Sequence, residues 1–300
     1  MLDYHLHLWP HGQRAVQATV EDLAAYCEKA AAEGVAELAL TEHLFRFTQV
    51  DDLLGGWWDA EADRRLRADA AKYWEQHVSA DLDAYVETAL AAKAAGLPVV
   101  VGMEVDYYPG RMDEVGRLLA QYPFDVLLGS VHWIGSWMFD DLSSAVAIGE
   151  WDTRSVDAVW DDYTRCLEEL AASGAVDVLA HPDLCKVVGR RPAFPDEFHD
   201  RMAEAAAAAG LAAEVSSAGW RKPADEAYPA PALLSRFCEL GVPITTASDA
   251  HRLSEVAFRS GDVRELVHAA GYTELRAFSA RRPHAVAIDT PVAAVDAVEG

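Results

Sequence analysis

The chain has 300 residues, 51% of them apolar and 25% charged, with a formal net charge of -24. That length and apolar share can bury one substantial α/β core, while the negative balance repels nucleic-acid backbones and anionic membrane surfaces. A small substrate is expected rather than a polymer, with no nucleic-acid and no membrane partner, and an anionic substrate would need local cations or metal to draw it in.

Taken in chain order, short apolar runs alternate with stretches of helical spacing. LDYHLH ends in His5 and His7, and a helical stretch over 20–33 follows. VAELALTEH ends in His43. Residues 46–79 then break the rhythm with Trp57, Trp58 and Trp74 among many charges, and read as a helical insertion at the rim. A substrate lid, an oligomer contact or ordinary tryptophan packing would each account for it. The alternation resumes with a helix over 80–95, LPVVVGME ending in Glu104, a helix over 111–121, and FDVLLGSVH ending in His132. A helix over 155–173 leads to AVDVLAH and His181, and helices over 196–209 and 228–240 precede VPITTASDAH, with Asp249 and His251. A last helix is expected over 261–270. Gly34, Gly96, Gly174, Gly210, Gly241 and Gly271 each follow a helical stretch, where a left-handed cap belongs.

Apolar runs of this length between helices read as buried parallel strands, whose C-terminal ends form the mouth of an α/β barrel or sheet. Seven of the eleven histidines lie in the first fifty residues or at later run ends. Imidazoles and carboxylates are ligands shared by zinc, manganese and iron, so their recurrence at strand ends points to a multinuclear metal site. His77, His199, His268 and His284 lack that placement and read as surface or packing residues. Cys27, Cys166, Cys185 and Cys238 are scattered and read as reduced thiols. The N-terminus has no basic segment followed by an apolar stretch, and no run reaches the length of a membrane span, so a cytoplasmic protein is expected. One domain over 1–300 is expected, and the sequence leaves the oligomeric state open.

Thr41-Glu42-His43, Gly102-Met103-Glu104, Ser130-Val131-His132, Ala180-His181-Pro182 and Ser248-Asp249-Ala250-His251, with the leading His5-Leu6-His7, resemble the ordered motifs of the polymerase and histidinol phosphatase (PHP) superfamily. GMEVDYYPG, FDVLLGSVHWI, EVSSAGWRKP and the Tyr228-Pro229 pair resemble its histidinol-phosphatase branch. The resemblance implies a distorted (β/α)7 barrel with three divalent ions, zinc, manganese or iron, at its mouth. By that resemblance one ion takes His5, His7, Glu104 and Asp249. A second takes Glu104, His132 and His181, and a third His43, His251 and His11. His11 follows the His-x-His pair more closely than is usual in relatives, so either a shorter loop reaches the third site or that site is incomplete.

The implied activity is hydrolysis of a phosphomonoester, L-histidinol phosphate foremost, by a hydroxide bridging two ions. Glu104, Asp249, His251 and Arg221 are the expected catalytic group. Arg221 and Lys222 are the best candidates for the phosphate, since a guanidinium matches two phosphate oxygens. Lys186 is a further phosphate candidate, and Asp183 is expected either to pair with a cation on the substrate or to orient a ligand histidine. Another small phosphomonoester, a phosphodiester or nucleic-acid end, a phosphotyrosine peptide, and a non-catalytic metal-binding scaffold are the alternatives.

Overall fold

In the computed structural model, which describes residues 1–288, seven parallel strands form one sheet in strict chain order. They are β1 (Leu2–Leu6), β2 (Glu37–Leu40), β3 (Val99–Asp106), β4 (Val126–Ser130), β5 (Val178–Leu179), β6 (Ala212–Ser216) and β7 (Ile244–Ala247). The sheet curls until β7 lies beside β1. There the bond from the His7 amide to the Ala250 carbonyl (2.7 Å) is joined by side-chain links. Thr246 Oγ1 donates to the Leu2 carbonyl (2.7 Å), and the Asp3 carboxylate accepts from the Ser248 amide (2.7 Å) and hydroxyl (2.6 Å). The result is a nearly closed, distorted (β/α)7 barrel, as expected. β1 to β7 are buried almost throughout, with only Glu37 partly exposed, which is why they read as continuous apolar runs rather than alternating ones.

The expected helices are present at Val20–Ala32, Leu82–Ala94, Met112–Leu119, Val156–Ala172, Asp196–Ala209, Pro231–Glu239 and Ser260–Ala269. The six glycines that follow helical stretches all have positive φ. Helix starts are set by side-chain caps, including a capping box between Thr19 and Asp22 and single caps at Asp81, Ser155 and Asp63. Gly102 in β3 is required by crowding, because a Cβ there would lie 2.8 Å from Thr41 Cγ2 and 2.9 Å from the Leu40 carbonyl oxygen.

The 46–79 segment is helical, with helices at Thr48–Leu54 and Arg64–His77. Its tryptophans pack: Trp57 meets Trp133 edge-on at 5.0 Å and Tyr108 at 5.7 Å, and Trp58 lies 5.4 Å from the buried Trp74. Trp133 belongs to a short hairpin after β4 (Trp133–Ile134 with Trp137–Met138). A second hairpin, Glu274–Ser279 with Arg282–Ala287, was not anticipated. It closes the opposite end of the barrel, where Arg281 pairs with Asp177 (2.9 Å) and the Asp125 carboxylate accepts the Ala280 amide (2.9 Å). Residues 289–300, the end of the expected domain, lie outside the described residues. No helix among the described residues is long and apolar enough to cross a membrane.

Candidate metal centre

Each strand end delivers its side chain to the same mouth. His5 lies in β1 and His7 one residue beyond it, with a register irregularity against β2 between Asp3 and Leu6 that re-aims this strand end. Glu104 and Asp106 share one face of β3, while His43, His132, His181, Asp249 and His251 follow β2, β4, β5 and β7. His181 (φ 28°) and Asp249 (φ 51°) are held in the left-handed region, a cost that a well-determined site sustains.

Glu104 is the hub. Its Oε2 lies 2.6 Å from His43 Nδ1, 3.3 Å from His5 Nε2 and 3.6 Å from His7 Nε2. Its Oε1 lies 3.1 Å from His181 Nε2 and 3.5 Å from His132 Nε2. Asp249 Oδ1 stands 3.4 Å from His7 Nε2 and 4.0 Å from His5 Nε2. His251 stacks on His7 with ring centroids 4.1 Å apart, and His11 stacks on His251 at 4.2 Å and lies 5.2 Å from His43.

Four sets of three donors converge within metal-binding range: His7 with His43 and His251; His5 with Glu104 and His181; His5 with His7 and Asp249; and His43 with Asp106 and His132. Among the described residues, His5 Nε2, His7 Nε2, both nitrogens of His43, His251 Nε2 and Glu104 Oε2 are buried without a well-aligned hydrogen bond, the 2.6 Å approach of His43 Nδ1 to Glu104 Oε2 included. Leaving so many polar atoms unsatisfied is costly, and divalent cations would satisfy them together. The donor set fits zinc and its neighbours, which share imidazole and carboxylate ligands.

The far sides of the rings are braced by carboxylates. His5 Nδ1 meets Glu214 Oε2 (2.8 Å), His7 Nδ1 meets Glu42 Oε1 (3.2 Å), and His132 Nδ1 meets Asp106 Oδ1 (2.6 Å). Such partners fix the ring tautomer and raise its basicity as a ligand. Glu42 also pairs with the fully buried Arg46 (3.0 Å), whose guanidinium donates to the carbonyls of Trp9, Pro10 and Gln13, each at 3.1 Å. His77 Nε2 accepts the Gly12 amide (3.0 Å). The short loop carrying His11 is thus pinned over the mouth from two sides, and that is how it reaches His251.

Burial penalises every charge in the cluster, and the neighbours decide the outcome. Burial alone would raise the Glu104 carboxyl, yet His43, His5 and His132 hold it well below its usual range. Asp249 is held down likewise by His5, His7 and His251. His5 is raised well above its ordinary value because Glu214, Glu104 and Asp249 overcome burial, and Asp106 pushes His132 up to about 10 against the same opposition. For His43 and His251 burial prevails and lowers both well below the usual imidazole range.

The PHP domain family model matches residues 4–218. The chain belongs to the PHP family. A "Probable histidinol-phosphatase" of Deinococcus radiodurans is 32% identical over 253 residues, 83% of this chain and 87% of that protein. Histidinol phosphate phosphatase from Lactococcus lactis, solved with zinc, L-histidinol and phosphate, superposes with a TM-score of 0.66 at 19% identity, covering 94% of this chain and 98% of its own. The hisK protein of Listeria monocytogenes gives 0.68 at 18% identity, over 87% of this chain and 99% of that one. At these identities the two solved structures show the shared PHP fold.

A cavity of about 270 Å3 opens over the PHP centre, lined by His11, His43, Glu104, His132, His181, Asp249 and His251 together with Arg221, Lys222 and Tyr228. Arg221 Nη2 donates to the carbonyls of Ser248 (2.9 Å) and Asp249 (2.7 Å), while its Nη1 is buried with no partner among the described residues. Lys186 and Asp183 do not line this cavity, which corrects both expectations. The Lys186 ammonium is fully buried and spends its three donors on Glu226 Oε2 (2.7 Å), the Ala227 carbonyl (2.7 Å) and Asp183 Oδ2 (2.8 Å). Asp183 in turn accepts the Ala230 amide (2.7 Å) and contacts neither a ligand histidine nor the cavity. His77, expected to be a surface or packing residue, is buried against Tyr73 and Phe45 and also supports the His11 loop. Sequence reasoning missed Glu214, Asp106, Arg46, Asp140 and the cavity-lining Arg252. For Asp106 a signal existed, since it stands two residues after Glu104 on one strand and therefore on the same face.

Proposed function

We infer that the chain is a metal-dependent phosphomonoester hydrolase whose substrate is L-histidinol phosphate. The observation that carries this reading is the Glu104 carboxylate shared among five imidazoles at the floor of a small cavity walled by Arg221 and Lys222. Substrate identity draws on the Deinococcus relative, and the Lactococcus protein binds L-histidinol and phosphate.

Three divalent ions, zinc, manganese or iron, are proposed. His5, His7, Glu104 and Asp249 would hold one, Glu104, His132 and His181 another, and His43, His251 and His11 the third. When bound, such ions supply positive charge that acidifies water and offsets the charge on phosphoryl oxygens. The chain's own residues do the positioning. Arg221 lines the cavity and is oriented by its two bonds to β7-end carbonyls, which holds its guanidinium at the wall where a phosphate would lie. Lys222 and the exposed Arg252 add charge at the wall against an overall charge of -24. Glu214, Glu42 and Asp106 hold the rings of His5, His7 and His132 with their other nitrogens facing inward. The cavity size suits a small ester, in line with the small-substrate expectation.

The test is phosphate release from histidinol phosphate beside sugar, amino-alcohol and nucleotide monophosphates, with protein reconstituted separately with zinc, manganese and iron. Selective turnover of histidinol phosphate is expected. Turnover confined to another ester would refute the substrate, and none with any metal would refute the activity.

A further inference from the structure

The cavity over the centre adjoins a second one of about 330 Å3, lined by Tyr73, Gln76, His77, Asp141 and Ser143 from the insertion and the loop after the Trp133 hairpin. His11, Met138, Asp140 and Lys222 line both and form the boundary between them. Asp140 is the anomaly. Its Oδ1 is buried without a hydrogen-bond partner, and no ion pair within 4 Å engages the carboxylate among the described residues. The backbone that carries it is anchored one residue before: Phe139 is buried against Trp137, Trp151 and Tyr163, and Trp151 Nε1 donates to the Phe139 carbonyl (2.8 Å).

A carboxylate on the boundary of two cavities, with one oxygen buried and unpaired beside a phosphate-binding wall, is unfavourable twice over, through the desolvation of that oxygen and through repulsion of the phosphate. The arrangement becomes favourable when the ligand carries a cation next to its phosphate. Histidinol phosphate does, with an ammonium on the carbon adjacent to the one bearing the ester oxygen, and an imidazole beyond. We propose that Asp140 is a specificity-determining residue that binds the ammonium of the leaving alcohol, with the second cavity receiving the rest of that alcohol. The proposal rests on the phosphomonoesterase reading and adds to it how the organic half is recognised. A site built around a charged hydrogen bond discriminates strongly, because an analogue lacking the cation leaves the carboxylate unpaired. His132, His181, Lys222 and Asp141 also face Asp140 electrostatically, so a supporting role toward the metal ligands is the competing outcome.

The experiment uses the zinc-reconstituted full chain and its Asp140→Asn variant, with Asp140→Ser as a second variant should the first fold poorly. Metal content and melting temperature are measured beside kcat/KM for histidinol phosphate and for phenyl phosphate, which lacks the cation. The ratio of the two kcat/KM values is expected to fall about 10- to 100-fold, mostly through KM, the range of one charge-assisted hydrogen bond. Competitive inhibition by L-histidinol should weaken in parallel. An equal fall for both esters, or loss of metal, would assign Asp140 to the metal centre and overturn the proposal, as would an unmoved ratio. Should the unmodified chain fail on histidinol phosphate, that substrate assignment falls separately, and ethanolamine phosphate against glycerol phosphate supplies the same ratio.

Discussion

Replacing Glu104 by alanine removes a carboxylate whose two oxygens reach both halves of the cluster. Its Oε1 lies 3.1 and 3.5 Å from His181 and His132, and its Oε2 lies 2.6 to 3.6 Å from His43, His5 and His7. Without it the proposed first ion keeps His5, His7 and Asp249, while the second is left with two imidazoles. Zinc sites rest on three or four protein ligands, so the second ion should be lost and the first retained more weakly. Removing that ion forfeits several kcal/mol of transition-state stabilisation, which is on the order of a thousandfold or more in turnover. Elemental analysis of metal per chain, phosphate release and a melting curve on the same preparation separate a chemical loss from an unfolded protein. Full turnover with an unchanged metal content would refute the assignment of Glu104 as the shared ligand.

Lys186→Met should destabilise by about 3–5 kcal/mol, because it leaves Asp183 buried without its counter-charge, while KM for the phosphoester moves less than about twofold; a large KM change with unaltered melting would return Lys186 to the phosphate site. Taken by themselves, the cluster histidines stabilise the metal-free chain most near the free imidazole value, about pH 6.5. Below it the unfolded chain binds protons at His43 and His251 that the folded chain refuses, so stability falls with acid. Above it the folded chain retains protons at His5, His7 and His132 that the unfolded chain releases, so stability falls again as pH rises toward about 10, the value to which His132 is pushed. Zinc binds the neutral rings, so the melting-temperature gain on adding zinc should grow between about pH 6 and pH 8; a gain that stays flat or shrinks in calorimetry across that range would contradict the ligand assignment.

The barrel was legible because six of its seven strands are apolar runs set among helical stretches, β6 (Ala212–Ser216) being the one not singled out, and the candidate ligands other than His11 because they stand at or beside the ends of such runs. Asp106 and Glu214 were overlooked because a carboxylate inside an apolar run looks like one polar position on a strand, and only the folded chain shows which ring it backs. Lys186 misled for the opposite reason: its partners Glu226 and Ala227 lie some forty residues on, and no local pattern reveals that they fold over it. The terminal hairpin was missed because its tight turn uses Ala280 and Arg281 at positive φ, where Asn-Gly would have announced it. The insertion's role could not be chosen from composition, since tryptophans that pack on a neighbouring hairpin and tryptophans that cover a substrate look alike until their contacts are known.

The seam between β1 and β7 has a consequence for how the molecule holds together. Asp3 and Ser248, joined there side chain to backbone, are 245 residues apart. His5 and His7 come from one side of that junction, Asp249 and His251 from the other, so an ion bound among them acts as a clasp between the two ends of the barrel. Closing so long a loop has an entropic cost that rises only slowly with its length, and a tie between its ends offsets that cost in the folded state alone. With ions held as proposed, metal occupancy would set how tightly the barrel is shut as well as whether it can react, and the first opening on metal loss would belong at this junction rather than among the inner strands.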